Sequence, residues 1–180
     1  LTWCRHEATG KTGWRWIAFP VPRPLYGLDR LAARPEATVM VVEGEKCADV
    51  GALELPDLVV VTWSGGCGAV DKSDWLPLTG RKVLLFPDCD AHTNRHTGQL
   101  LPEKKQPGFA AMRKIGALAR AMGCKVWQVR IPAPGEVAAG WDIADAVAEG
   151  LTGDALAAWV RERARLLSDE QDSGGAPEHA

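Results

Sequence analysis

Three acidic residues stand where carboxylates could share a cation. Glu43 closes the apolar run of "VVEGEKCAD" (41–49), and Asp88 and Asp90 follow another such run in "FPDCD" (86–90). A charge at the lip of a buried strand is costly unless something binds there. Residues two apart in extended chain point the same way, so Asp88 and Asp90 can converge. Anionic groups crowded in a partly dry cleft repel one another, and a hard divalent cation relieves the repulsion. Mg2+ accepts one or two carboxylates and completes its shell with water and phosphate oxygens. One residue at a time, structural readings compete: Glu43 as an acid at a helix N-terminus, Asp88 as a turn or helix cap. The three after two buried strands favour a site for Mg2+ or Mn2+, with Glu43, Asp88 and Asp90 as its ligands.

Other residues could serve the same site. The glycines of "WSGGCGA" (63–69), Gly65 and Gly66 in particular, let backbone approach a ligand or bend tightly. Lys46 could meet a phosphate, or equally pair with Asp49 or Glu45. Past Asp90, "AHTNRHTGQLLPEKKQ" (91–106) is long for a connection without a function or disorder. It brings Arg95, Lys104 and Lys105 beside the carboxylates, where they could grip a nucleic-acid backbone. His92 and His96 are four apart, but no third zinc ligand accompanies them. Trp63 and Trp75 flank the glycine loop and could stack on bases, although packing is the favoured reading for both.

These residues need elements to position them. "TVMVVE" (38–43), "LVVVT" (58–62), "KVLLFP" (82–87) and "KVWQVRI" (125–131) are short β-branched runs, the first three nearly continuous in apolar residues, as strands covered on both faces are. Helices are expected at 44–53 and at 107–123, where Phe109, Met112, Ile115, Leu118 and Met122 recur at helical spacing. Pro107 and Gly123 punctuate that helix. Alternating strands and helices predict an α/β fold, Rossmann-like, with a mostly parallel four-stranded sheet and right-handed crossovers. Ligands bind such sheets at the carboxyl ends of the strands, which is where Glu43, the glycines and the aspartates fall. A short helix at 142–149 and an amphipathic one near 154–167 follow.

Ahead of the sheet, "LTWCRHEATGKTGWRWIAF" reads as a β-hairpin with Trp14 and Trp16 on one face. Pro20, Pro22 and Pro24 then mark a linker lying against the main domain. The expected organisation is hairpin and linker (1–37), main domain (38–150), C-terminal amphipathic helix (151–168) and a polar, disordered acidic tail (169–180).

With 180 residues, the chain can bury a real core. It opens on Leu1 rather than Met, as an excerpt of a longer protein would, so the lack of a leader pattern carries no weight. No apolar run is long enough to span a membrane. The five cysteines include no CxxC pair, which argues against a zinc ribbon and suits a reduced, cytoplasmic setting. Net charge is −2, but residues 91–130 hold eight Lys or Arg against one Glu, while 142–180 hold nine acids against three Arg. A basic segment beside acidic ones can steer a polyanion.

Glu-Gly after one strand, then a glycine loop, then Asp-x-Asp, then "GWDIADAVAEG" (140–150), resembles the Toprim domain, most closely that of phage- and plasmid-type DNA primases and primase-helicases. The resemblance covers roughly 38–150. It implies Glu43 as metal ligand or general base, Asp88 and Asp90 as metal-binding aspartates, and Asp142, with Asp145 nearby, as the downstream acidic motif, Asp142 being a further metal ligand. Trp141 stands where that motif usually has Lys, and Cys47 where the bacterial replicative primase has an aspartate. Helix capping is an equal reading of Asp142 and the main one of Asp145. The implied function is metal-dependent nucleotidyl transfer for primer synthesis on single-stranded DNA, with a helicase or zinc-binding module in cis or in trans. A metal-dependent nuclease and a non-catalytic module binding nucleic acid or protein are the alternatives.

Overall fold

The computed structural model describes residues 2–6, 8–15 and 19–168. Trp16 and the expected tail at 169–180 fall outside them. An antiparallel hairpin, β1 (Thr2–Arg5) with β2 (Thr12–Arg15), forms a small sheet of its own. The proline-rich segment lies against the main domain as expected, through bridges Arg23–Ser73 and Tyr26–Thr62. It also contains a helix, α1 (Leu28–Ala33), that sequence pattern does not announce, and Leu25 and Leu31 are buried in the core.

The main sheet is built from β3 (Val39–Val41), β4 (Val59–Val61), β5 (Lys82–Leu85), β6 (Lys125–Val129) and β7 (Ala164–Leu166). Its order is β4-β3-β5-β6-β7, with the first four parallel and β7 antiparallel to β6. The sheet therefore has five strands rather than four. The extra one ends the expected 154–167 helix early: α5 (Gly153–Arg163) stops where Ala164 turns extended. Between the strands run α2 (Glu45–Glu54), α3 (Pro107–Ala121) and α4 (Ile143–Ala148).

The near-continuous apolar runs are explained by burial on both faces. Successive side chains of a strand alternate between faces. Val39, Val41, Val59, Val61, Val83 and Leu85 accordingly join α3's Met112, Ile115 and Ala119 on one side. Met40, Val42, Val60, Leu84 and Phe86 join Cys47 of α2, Ile143 of α4, and Leu156 and Val160 of α5 on the other. No helix among the described residues is long and apolar enough to cross a membrane.

Candidate metal centre

Parallel register puts the ends of β3 and β5 side by side, with Val41 opposite Leu85. Glu43 lies two residues beyond one strand and Asp88 three beyond the other. Asp142 arrives from far along the chain. Cys89 bridges Trp141, with Cys89 N donating to Trp141 O at 2.8 Å and Gly140 N to Cys89 O at 2.8 Å. That pairing sets the 140–142 segment against the aspartates.

Asp88 is the electrostatic centre. Burial pushes its carboxyl up to about 8, and the negative charges of Glu43, Asp142, Asp90 and Asp145, in that order, push the same way. Asp88 is thus influenced more by Glu43 and Asp142 than by Asp90, its neighbour in the Asp-x-Asp pattern. The cause lies in the hydrogen bonds. Asp90 turns to α3, where its Oδ2 accepts from Gly108 N at 2.6 Å. Gly108 makes the approach close: a Cβ would stand 3.1 Å from that oxygen and 3.2 Å from Asp88 O, tighter than ordinary contact. Cys89, between the two aspartates, is buried and points to the Pro132 carbonyl, 3.3 Å away.

The other carboxylates also have protein partners. The Cys67 thiol donates to Glu43 at 3.0 and 3.1 Å from its two oxygens. Burial, then that bond, pushes the thiol up to about 12. Asp142 caps α4, accepting from Ala144 N at 2.7 Å and Asp145 N at 2.9 Å, while Asp145 Oδ2 accepts in turn from Asp142 N at 3.2 Å. This reciprocal capping box is the structural role anticipated for both residues. Cys47 hydrogen-bonds the Asp142 carboxylate, and burial together with that bond drives its thiol far up. Neither thiol is a ready nucleophile at neutral pH.

The glycine loop closes a third side. Gly66 lies near Glu43, a Cβ built on it falling 3.7 Å from Oε1. Gly65 takes φ +105°, and a Cβ there would meet Arg23 Nη1 at 2.6 Å. Arg23 in turn donates to Ser64 O at 3.1 Å, so the proline-rich segment fixes the loop from behind. Trp63 and Trp75 are buried against each other, centroids 6.0 Å apart, with both indole N–H groups donating to backbone carbonyls. They pack; they do not face a ligand.

Lys46 is exposed on the first turn of α2, and Asp49 pairs instead with Arg30 and Tyr26. Arg95, Lys104 and Lys105 are exposed on the 91–106 loop. The loop is an ordered structure with a bridge between Thr93 and Leu100. Buried Gln106 closes it, accepting from His92 N at 2.9 Å and donating to His92 O and Leu101 O at 3.2 and 2.8 Å. His92 and His96 are exposed.

A family model described as "Domain of unknown function (DUF6371)" matches residues 2–89. That span includes Glu43, the glycine loop and Asp88 and stops short of Asp90 and Asp142. No curated protein and no solved structure matches the chain.

The donors fit a hard cation in chemistry, being carboxylate oxygens whose charges bear on a partly buried aspartate. Among the described residues, however, no three His, Cys, Asp or Glu side chains already form a group that could hold an ion. Glu43, Asp90 and Asp142 are turned to a thiol, a helix amide and a helix cap.

Proposed function

We propose that this rim is the catalytic centre of a Toprim-like, metal-dependent nucleotidyltransferase of the phage or plasmid primase type. The carrying observation is Asp88, partly buried at a strand end with four acidic residues pressing its carboxyl toward neutrality. A side chain so placed adds nothing to packing and is costly when charged, which is the mark of a functional group.

In this reading Glu43, Asp88 and Asp90 hold the divalent ions and Asp142 borders them, its charge added while it keeps its cap. Bound Mg2+ or Mn2+ would supply neutralisation of phosphoryl oxygens and activation of an attacking hydroxyl. The chain's own part is positioning, the dominant contribution in phosphoryl transfer. Gly65 and Gly66 admit phosphate close to backbone N–H groups, and Lys46, Arg95, Lys104 and Lys105 contact the nucleotide or the single-stranded DNA backbone. A helicase or zinc-binding module, in cis or in trans, would complete template handling.

Incubation with Mg2+ or Mn2+, single-stranded DNA and labelled NTPs tests the proposal, with short oligonucleotides as the expected product. Degradation of the DNA without synthesis would replace it with nuclease action by the same carboxylates. Neither product, with no metal binding by calorimetry, would leave a non-catalytic binding module.

A further inference from the structure

The edge of the sheet carries a second charged feature. Between α3, the β6–β7 pair and the end of α5 runs a groove of about 1430 Å³. Its basic lining is Lys104, Arg113, Arg120, Arg130, Arg163 and Arg165, against three glutamates. One of these, Glu136, already accepts from Ala133 N at 2.8 Å. In a chain of net charge −2, this is a local concentration of positive charge.

The cations are arranged along a line rather than around a point. Arg113 and Arg120 are seven residues apart on α3, hence on one face and about 10 Å apart along the axis. Arg130 follows β6, its N–H donating to Arg163 O at 3.0 Å, and Arg165 pairs with Gln128 across β6 and β7. Gln128 lies among them, 8% exposed, and its Oε1 has no hydrogen-bond partner. An unmet buried amide oxygen is costly, and a base N–H would satisfy it. The groove also abuts the carboxylate rim. Cys89, between Asp88 and Asp90, touches the carbonyls of Pro132 and Ala133, which line it, and Phe109, next to the Gly108 amide held by Asp90, lines it too.

We propose that this groove is the track along which a single-stranded nucleic-acid backbone reaches the carboxylate rim; the proposal rests on reading that rim as a site that acts on nucleic acid. Five of the six cations are arginines, whose planar fork matches phosphate oxygens. Their spread over α3, β6, α5 and β7 suits successive phosphates better than the compact charge of one nucleotide. Half-buried Phe109 offers a ring for a base at the rim end.

The test is fluorescence anisotropy with a labelled thymidine 20-mer across a KCl series in EDTA, so that binding is read apart from chemistry. Wild type should bind. The double variant Arg130→Ala, Arg165→Ala should lose about tenfold or more in affinity at low salt. Its log–log salt slope should be shallower by about 1.4, because each single-strand phosphate contact contributes about 0.7. An unchanged melting temperature confirms that the double variant is folded. Unaltered affinity and slope in that variant would overturn the groove and leave the rim untouched. No binding by wild type at the lowest salt would overturn it as well, as would ATP competing as effectively as the oligonucleotide per phosphate. Failure of the rim reading looks different: the groove would bind the strand as described, while Mn2+ and NTPs yield neither new short oligonucleotides nor a cut strand.

Discussion

The two rims of the parallel sheet carry their charges differently. Where the strands begin, Lys82 and Lys125 sit side by side in register, both exposed. They border a cavity of about 790 Å³ whose walls include Leu55, Leu58, Trp127 and Val160. Their stems can cover apolar surface while water solvates the ammonium groups. Where the strands end, Asp88 is partly buried, surrounded by acids and pushed up to about 8. Water alone explains the first rim. The second, in the proposed reading, is completed by a cation, and the contrast between the rims lies in the environment of the charges more than in their count.

The widest separation between the rims is expected in turnover. Asp88→Asn should reduce metal-dependent nucleotidyl transfer by about two to three orders of magnitude, the scale seen when one transition-state stabilising group is removed. Lys82→Ala with Lys125→Ala should leave the rate within about twofold. Equal losses in both variants would erase the contrast between the rims. A smaller effect is expected in the loop that borders the acidic rim. Gln106→Ala strands His92 N, His92 O and Leu101 O together and should cost about 2 kcal/mol, read from urea unfolding. A cost near zero would show that the 91–106 loop is held by something else.

The smallest effect dissects Asp142. Asp142→Ala should cost about 1 kcal/mol through loss of the α4 cap. Asp142→Asn keeps the capping acceptor and should be nearly neutral for folding. If Asn also leaves metal affinity unchanged, Asp142 is a cap and nothing more; a weaker Mn2+ affinity would place its charge in the centre.

Glu43 and Asp88 were legible before any coordinates because each follows a β-branched run, and parallel pairing aligns strand ends. Asp142's position depends on a bridge between Cys89 and Trp141, separated by about fifty residues, and no local pattern encodes it. The bonds from Cys67 to Glu43 and from Cys47 to Asp142 escaped for the same reason. Equal spacing of Asp88 and Asp90 suggested a matched pair, but the tight approach of Gly108 turns Asp90 toward α3. Strand β7 was hidden because Ala164–Leu166 continues the apolar rhythm of α5, and tertiary pairing with β6 overrides it. Gln106 shows the opposite case: a loop that composition marks as irregular is ordered by one buried amide.

Calorimetric titration of the metal-free protein with Mn2+ between pH 6 and 9, in buffers of different ionisation enthalpy, tests the central claim most directly. The folded-state pKa of Asp88 lies above its ordinary value of 3.8, so its contribution to metal-free stability is present below that value and is lost as pH rises through about 8. At pH 7 the folded protein therefore holds a proton on Asp88 that an entering cation must displace. The account predicts Mn2+ binding that strengthens from pH 6 to 9, releases a proton at pH 7, and is lost in Asp88→Asn. Absence of Mn2+ binding across that range, or the same binding and proton release in Asp88→Asn, would contradict it.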